Sequence, residues 1–484
     1  MKFNLREYFK LSAIYVVVAA LPPGLQLIIQ PIIEGPDRLG PVDFSQLGIS
    51  EIITSLVFTV ALFSMGNAIS RFYYDHKDRE SGYHKLVSTV LNSILFRGMI
   101  ILGLAWVFRD YIGSIFTQPA LQDFESYGYL AIIIGINRAI NMTAAALYRN
   151  EKKVRKFILL NLALGVLRSG FQVIGVFYYD MSFIGFLWGG AIGSSITSIS
   201  VLLYTWHSCG FRFDFKILKE LNQFAYPLFQ FAIIMWGINY SERFFMEMED
   251  KASDLGIYIV AFGIAVGFEK ILIGIQGATQ PEIYRFMDAG LKEHTENIKK
   301  LSNLLLAQTQ VLIALAIIPA MLYLSLFYTT DVRLAFGLIT IIFVKFIVRT
   351  QFLIFSYGVY FKKKTKYFLY VNTFALLANL GLNYLLVPHL SFYGVIIAAY
   401  AALSIQAVSF YFISKKITGI RWNKKKMLFY PFTIVLSAAL LEFLKIRFEI
   451  NPYITSSLVV IIIMTSLSIL YKVEIRQILN KYIR

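Results

Sequence analysis

The sequence predicts an all-α, polytopic membrane protein of about 14 transmembrane helices, arranged as two pseudo-symmetric six-helix lobes plus two C-terminal helices. Three observations predict it. Of 484 residues, 57% are hydrophobic and only 15% charged, whereas a soluble protein carries roughly 25% charged residues; mean hydropathy is +0.63. The apolar residues gather in runs near the roughly 20 residues that cross a bilayer. Lys and Arg then alternate between dense and sparse from one connection to the next, as they do between cytoplasmic and translocated loops.

Apolar runs between charged breaks place seven spans at roughly 11–33, 49–70, 86–107, 121–147, 157–178, 183–207 and 224–247. A second seven fall at roughly 255–284, 301–326, 333–358, 367–388, 392–414, 427–444 and 452–471. This gives an N-terminal lobe over 1–210, a C-terminal lobe over 211–420, and spans thirteen and fourteen with a tail over 421–484. Lys2, Arg6 and Lys10 ahead of the first run mimic a signal peptide, but further spans follow, so the first helix reads as retained. On this segmentation roughly 33 of the 46 Lys and Arg lie on one side and about six on the other, which predicts cytoplasmic N- and C-termini. The strongest markers are Lys152, Lys153, Arg155 and Lys156, then Lys362, Lys363, Lys364 and Lys366, then Lys415, Lys416, Arg421 and Lys424 to Lys426. These clusters read as topology determinants that touch anionic membrane lipids. No connection exceeds about 20 residues, so neither face has room for a soluble catalytic or receptor domain.

The two halves echo each other. Tyr148, Arg149, Asn150, Glu151, Lys152 and Lys153 follow span four, and Tyr360, Phe361, Lys362, Lys363 and Lys364 follow span ten. Asn161 and Asn372 open the next spans, and Phe183, Ile184, Gly185 and Phe392, Tyr393, Gly394 the ones after. Pro227 in span seven loosely echoes Pro22 and Pro23 in span one. An even number of spans per copy preserves orientation, so the copies are parallel repeats about an axis along the membrane normal.

Several function classes drop out. A net charge of +17 invites a nucleic-acid reading, but that needs a water-exposed basic face, and little chain is left to build one. The single cysteine, Cys209, excludes an internal disulfide framework and a thiolate metal cluster, and five scattered histidines show no metal-ligand spacing. Phosphate-binding glycine loops and Ser/His/Asp orders are absent. The chain reads as no enzyme.

Charge inside the spans carries the functional signal. Arg97, Arg138, Arg168, Arg243, Lys270, Lys345 and Arg349 fall within apolar runs. A cation at mid-bilayer costs roughly 2.5–3.5 kcal/mol on insertion scales, so each should face a cavity or a partner. Lys345 and Arg349 lie four apart on one helix face, where they repel unless an anion or water intervenes. Acidic counterparts are fewer: Glu242 and Glu269 within spans, with Glu34, Glu51, Glu282 and Glu442 nearer span ends. Glu242 beside Arg243 and Glu269 beside Lys270 point about 100° apart on a helix, which favours partners on other helices. Asn137 and Asn141 flank Arg138, and Asn379 and Asn383 share a face, either lining a wet cavity or joining helices by hydrogen bonds. Pro22 and Pro23 remove two backbone donors, so span one should bend or break there unless neighbours satisfy the freed carbonyls. Gly189, Gly190, Ala191, Gly193 and Ser194 permit close helix approach in span six.

These residues, taken in sequence, resemble the polysaccharide transporter branch of the multidrug/oligosaccharidyl-lipid/polysaccharide (MOP) exporter superfamily, the Wzx-type flippases of lipid-linked oligosaccharides. The N-terminal block carries most of the resemblance: Leu21 Pro22 Pro23 Gly24, Gln30 Pro31, Leu39 Gly40 Pro41 Val42 Asp43 Phe44, and Met65 Gly66 Asn67 Ala68 Ile69 Ser70 Arg71 Phe72 Tyr73. Tyr226 Pro227 Leu228, Ser241 Glu242 Arg243 Phe244 Phe245, Gly256 Ile257 Tyr258, Gln280 Pro281, the stretch from Asn379 to Pro388, and Tyr393 Gly394 extend it over nearly the whole chain.

The resemblance implies a MATE-like pair of six-helix lobes rocking around a central cationic cavity in a bacterial inner (cytoplasmic) membrane. Its cargo would be an undecaprenyl diphosphate-linked glycan of the O-antigen kind. The related lipid II flippases use two extra helices as a groove for the lipid tail, which would suit spans thirteen and fourteen. Arg138, Lys345, Arg349, Arg168, Lys270 and Arg97 are then the expected diphosphate-binding cations, and Pro22, Pro23, Glu242, Arg243, Glu269 and Arg71 the expected gating or coupling residues. Partners would be the lipid-linked glycan, membrane lipids and polysaccharide-assembly proteins. No cofactor is expected beyond coupling to an H+ or Na+ gradient. The alternative is an ion-coupled multidrug or metabolite exporter of the same superfamily, although an exporter of organic cations should have an acidic lumen. A membrane glycosyltransferase, ligase or polymerase would need a large outer loop, which is absent.

Overall fold

The structure, a computed structural model, describes residues 5–76, 80–180, 182–364 and 366–472. Lys2 and the tail cations Arg476, Lys481 and Arg484 lie outside these residues, as do the side chains of Arg6 and Lys10. The described chain is helical throughout, with a single bridge between Glu34 and Leu39 as its only β pairing. Helices dominate because backbone donors and acceptors within a bilayer must be satisfied inside their own segment.

Two compact units divide the chain, residues 1–259 and 260–484. The first unit holds α1 (Leu5–Ile33), α2 (Pro41–Leu62), α3 (Met65–His76), α4 (Glu80–Ser114), the single turn α5 (Pro119–Gln122), α6 (Phe124–Asn150), α7 (Val154–Ile174), α8 (Phe183–Cys209) and α9 (Phe215–Met248). The division falls inside α10 (Ala252–Ala289), which is followed by α11 (Thr295–Phe327), α12 (Ile339–Phe361), α13 (Lys366–Leu390), α14 (Phe392–Thr418), α15 (Tyr430–Phe448) and α16 (Pro452–Leu470). Within the first unit α9 packs on α2, α3 and α4; within the second, α15 packs on α12 and α16 on α11.

Twelve spans among the described residues are long and apolar enough to cross a membrane. The two remaining spans read from sequence are also helices. The apolar part of α1, Ala20–Ile33, is shorter. In α9, 34 residues long, polar residues such as Gln230, Asn239 and Glu242 dilute the hydropathy.

Two local features differ from the sequence reading. First, α1 runs unbroken through Pro22, Pro23 and Pro31. It is braced by α7: Gln26 Nε2 donates to Ser169 Oγ at 3.1 Å and to Gln172 Oε1 at 2.7 Å, and Gly165 leaves room for Pro22. Second, the span read over 49–70 is two helices, separated at Phe63 (φ 47°) and Ser64 (φ 57°). Positive φ at a bulky residue is uncommon, and neither glycine nor proline announces this break. Tertiary contacts hold it instead, as Arg97 shows below.

Candidate functional site

The first unit gathers charge around Glu51 of α2. Arg138 of α6 donates from Nη1 to Glu51 Oε1 at 2.7 Å, and its guanidinium stands 5.0 Å from the Phe58 ring centre, about two turns along α2. Arg168 of α7 lies within electrostatic range of both Glu51 and Arg138. Two arginines around one carboxylate leave an excess positive charge, and Arg168 Nε is buried without a hydrogen-bond partner. The Arg138 side chain keeps 44% of its surface exposed, which in a bilayer requires water or cargo rather than lipid beside it.

Small residues position this cluster. A Cβ at Gly189 would stand 2.1 Å from the Phe171 carbonyl oxygen, and one at Gly193 2.6 Å from Arg168 Cα, so α8 lies against α7 at the arginine itself. Asn137 and Asn141 turn away from the charge. Asn137 Nδ2 donates to Ser194 and Ser195, and Asn141 Nδ2 to Thr197 and Ser198, at 2.9–3.2 Å; both fasten α6 to α8.

The second unit repeats the arrangement with different parts. Arg349 of α12 pairs with Glu269 of α10, and its Nη1 is buried without a hydrogen-bond partner. Glu269 thus takes its partner from another helix. That pairing relieves the repulsion between Arg349 and Lys345, whose Nζ sits 5.2 Å from the Phe262 ring centre. Arg138 and Arg349 are 211 positions apart, and so are Glu51 and Phe262, and Phe58 and Glu269. Glutamate and phenylalanine exchange places two turns apart on corresponding helices.

The same offset governs the basic hairpins. Lys153 N donates to Tyr148 O (2.9 Å) and Lys364 N to Val359 O (3.1 Å); Lys152 N donates to Arg149 O (3.1 Å) and Lys363 N to Tyr360 O (2.9 Å). Lys152 and Lys363 share left-handed backbone, φ 56° and 53°. Asn161 Nδ2 donates to Phe157 O and Asn372 Nδ2 to Phe368 O, at 2.8 and 2.6 Å. α8 and α14 are each 27 residues long and end on Gly210 and Gly419, both at φ 73°.

The remaining expected site residues scatter. Arg97 caps the α2–α3 break: Nη1 donates to Ala61 O at 3.3 Å, Nη2 to Asn222 Oδ1 at 2.8 Å, and the guanidinium lies 4.7 Å from the Phe63 ring centre. Beside it opens a groove of about 670 Å3, lined by Phe63, Phe215, Lys219, Asn222, Gln223 and Tyr226. Lys270 is exposed and joins neither cluster. Arg243 is buried with Glu242, donating from Nη1 to Gly48 O at 3.1 Å and standing 4.8 Å from the Tyr240 ring centre. Arg71 is exposed on α3, 6.0 Å from the Phe72 ring centre. Sequence reading left Glu51 outside the site because it lies near a span end; the 211-residue offset between Arg138 and Arg349 was the signal that could have found it.

Helices and internal repeat form a polytopic fold that is shared with solved structures of membrane transporters. Matching solved structures include the lipid II flippase MurJ in an inward closed conformation (TM-score 0.68, 13% identity, 97% of this chain and 98% of that one). An inward-facing multidrug resistance MATE family transporter of the MOP superfamily also matches (TM-score 0.64, 15% identity, 84% of this chain and 95% of that one), as does an outward-facing one (TM-score 0.54, 16% identity, 86% and 97%). None of the curated proteins matches the chain. The family described as polysaccharide biosynthesis protein matches residues 39–339. The chain belongs to that family.

Proposed function

We propose that the protein is a flippase that moves an undecaprenyl diphosphate-linked oligosaccharide from the cytoplasmic to the outer leaflet of a bacterial inner membrane, for surface polysaccharide biosynthesis. One observation carries the reading: each unit holds an arginine–glutamate pair with a second cation close by and a buried guanidinium N–H left over, at Arg168 Nε and Arg349 Nη1. A diphosphate is the complementary cargo, because its oxygens accept several charge-assisted hydrogen bonds at once. In each unit the glutamate holds its arginine until a phosphate displaces it, as access alternates between the two sides of the membrane.

Two features support a lipid-linked glycan over a free metabolite. Likeness to the lipid II flippase extends over 97% of the chain, too much to leave out α15 and α16, whereas the MATE transporter covers 84%. Beside Arg97, Phe63 and Tyr226 offer ring faces and Asn222 and Gln223 offer amides, groups that stack on and hydrogen-bond to sugars. The alternative, an ion-coupled multidrug or metabolite exporter, suits anionic metabolites but not organic cations, which the excess positive charge would repel.

The test is mass spectrometry of lipid extracts from cells depleted of the protein. A polyprenyl diphosphate oligosaccharide should accumulate on the cytoplasmic side while surface polymer disappears. No accumulation, together with new sensitivity to small toxins, would replace the flippase by the exporter.

A further inference from the structure

We infer that the groove beside Arg97 is a glycan subsite that selects an acidic sugar, one carrying a carboxylate or phosphate substituent, within the lipid-linked cargo. The inference rests on the flippase reading and narrows its substrate. The groove, of about 670 Å3, is lined by Phe63 at the α2–α3 break and by Phe215, Lys219, Asn222, Gln223 and Tyr226 along α9. That volume falls within the roughly 300–1,000 Å3 of small-ligand sites. Phe63, Phe215 and Tyr226 present aromatic rings to the apolar faces of a pyranose, and the amides of Asn222 and Gln223 both donate and accept, as sugar hydroxyls require.

Charge selects among sugars. Arg97 touches two of the lining residues: Nη2 donates to Asn222 Oδ1 at 2.8 Å, and the guanidinium stands 4.7 Å from the Phe63 ring centre. Nη1 donates to Ala61 O at 3.3 Å. Both acceptors are neutral, and a guanidinium carries more donors than these two bonds use. Among the described residues no carboxylate pairs with Arg97. Lys219 adds an exposed second cation, and none of the described residues lining the groove is acidic. An anionic group on the sugar answers both charges: the fork of Arg97 matches the paired oxygens of a carboxylate or phosphate, and a half-buried guanidinium without a counter-charge acquires one.

The groove stands apart from the charge arrangement that the two units share. The 211-residue offset puts Gln308 at the place of Arg97 and Gly274 at that of Phe63, and α10 runs unbroken where α2 and α3 part. A diphosphate, common to every polyprenyl-linked cargo, is met by the arginines that recur in both units; a cation and rings present in unit one only suit the part of the cargo that varies, its glycan. The α8–α9 connection next to the groove lies on the side that the Lys and Arg asymmetry assigns to the cytoplasm, from which that glycan would enter.

The experiment is saturation-transfer NMR of the purified full-length protein in detergent, with glucuronate, glucose 6-phosphate, methyl glucoside and inorganic phosphate as separate probes. Glucuronate, glucose 6-phosphate or both should bind at least about fivefold more tightly than methyl glucoside, and the stronger of the two tells a carboxylated from a phosphorylated sugar. Lys219→Gln should weaken that binding about threefold, as expected for an exposed charge. Arg97→Lys should weaken it about tenfold, because it keeps the charge and loses the fork; if that variant does not fold, Lys219→Gln decides. Methyl glucoside or inorganic phosphate binding as tightly as the acidic sugars would overturn the inference, and so would wild-type affinity in the variants or no binding of any probe. The lipid-linked oligosaccharide trapped in depleted cells gives the second readout. An acidic sugar in it supports the inference; a neutral glycan overturns the inference and leaves the flippase standing. If no lipid-linked oligosaccharide is trapped, the flippase reading falls, and the NMR result still decides the groove.

Discussion

The two units solve one electrostatic problem with the same helices and different residues. On α2 the carboxylate is Glu51 and the ring Phe58; on α10 the ring, Phe262, comes first and the carboxylate, Glu269, two turns later. The second cation also moves. Unit one takes it from α7 as Arg168, where the 211-residue offset puts Asn379 in unit two; unit two takes it from α12 as Lys345, where unit one has Ile134. What the halves share is a charge sum around a fixed arginine, rather than a set of positions. A charge buried at membrane depth must be balanced by something within a few ångströms, but which helix supplies the balance is free.

The strongest way to break the comparison is to remove the fixed arginines. Arg138→Ala, Arg349→Ala and Lys345→Ala should each abolish export of the lipid-linked glycan with protein abundance unchanged, since losing one member of a buried charged contact costs about 2–5 kcal/mol, on the order of 100-fold in affinity. Surface polymer and the trapped lipid intermediate measure it together. Lys in place of either arginine should rescue in part, because it keeps the charge but loses the two-pronged geometry. Normal surface glycan in the alanine variants would remove these residues from the site.

The exchange of Glu and Phe makes a sharper test. Glu51→Phe alone leaves Arg138 without its carboxylate and, because the pair is only partly buried, should destabilise the purified protein by about 1–2 kcal/mol. Adding Phe58→Glu restores a carboxylate at the register that Glu269 occupies in unit two, and should recover at least half of the lost thermal stability. A double variant no better than the single would mean that the two units do not share an interchangeable register.

How far these features were legible in the sequence follows from the range of the forces involved. Spans, basic hairpins and repeat could be read because hydropathy and charge act locally: Tyr148–Lys153 and Tyr360–Lys364 look alike in sequence and make the same backbone hydrogen bonds. Interior arginines were visible as charges in apolar runs, but their partners were not. Glu51 was discounted by its place near a span end, and a glutamate paired through a different helix leaves no local trace. Arg97 looked like a cavity cation, yet it caps a helix break at Phe63 and Ser64 that no glycine or proline marks.

A smaller effect tests the excess charge alone. Arg168→Asn gives unit one the residue that unit two carries at the corresponding position, Asn379, and leaves Arg138 paired with Glu51 on equal terms. Export should fall about tenfold, the equivalent of one charge-assisted hydrogen bond of roughly 1.4 kcal/mol, without loss of melting temperature. Unchanged export would mean that Arg349 and Lys345 suffice to hold the cargo.

The smallest difference lies in the hairpins, whose backbones match while their charges do not. Glu151, at the position of Lys362, accepts from Tyr83 and pairs with Lys153 at 2.9 Å. Burial works against the Lys153 charge, but the hydrogen bond and charge of Glu151 outweigh it and raise its pKa above the ordinary 10.5. A raised lysine pKa stabilises the fold fully at neutral pH and is lost as pH climbs through the folded value. Lys153 is half exposed, so solvent screening holds the contribution to about 0.5–1 kcal/mol. Glu151→Gln keeps an acceptor for Tyr83 and removes the charge. It should lower the melting temperature by about 1–3 °C at pH 7, and the gap to wild type should close above pH 10.5, where Lys153 gives up its proton in both proteins. A gap that persists at high pH would assign the effect to the Tyr83 contact instead, leaving the hairpin held by its backbone alone, as in unit two.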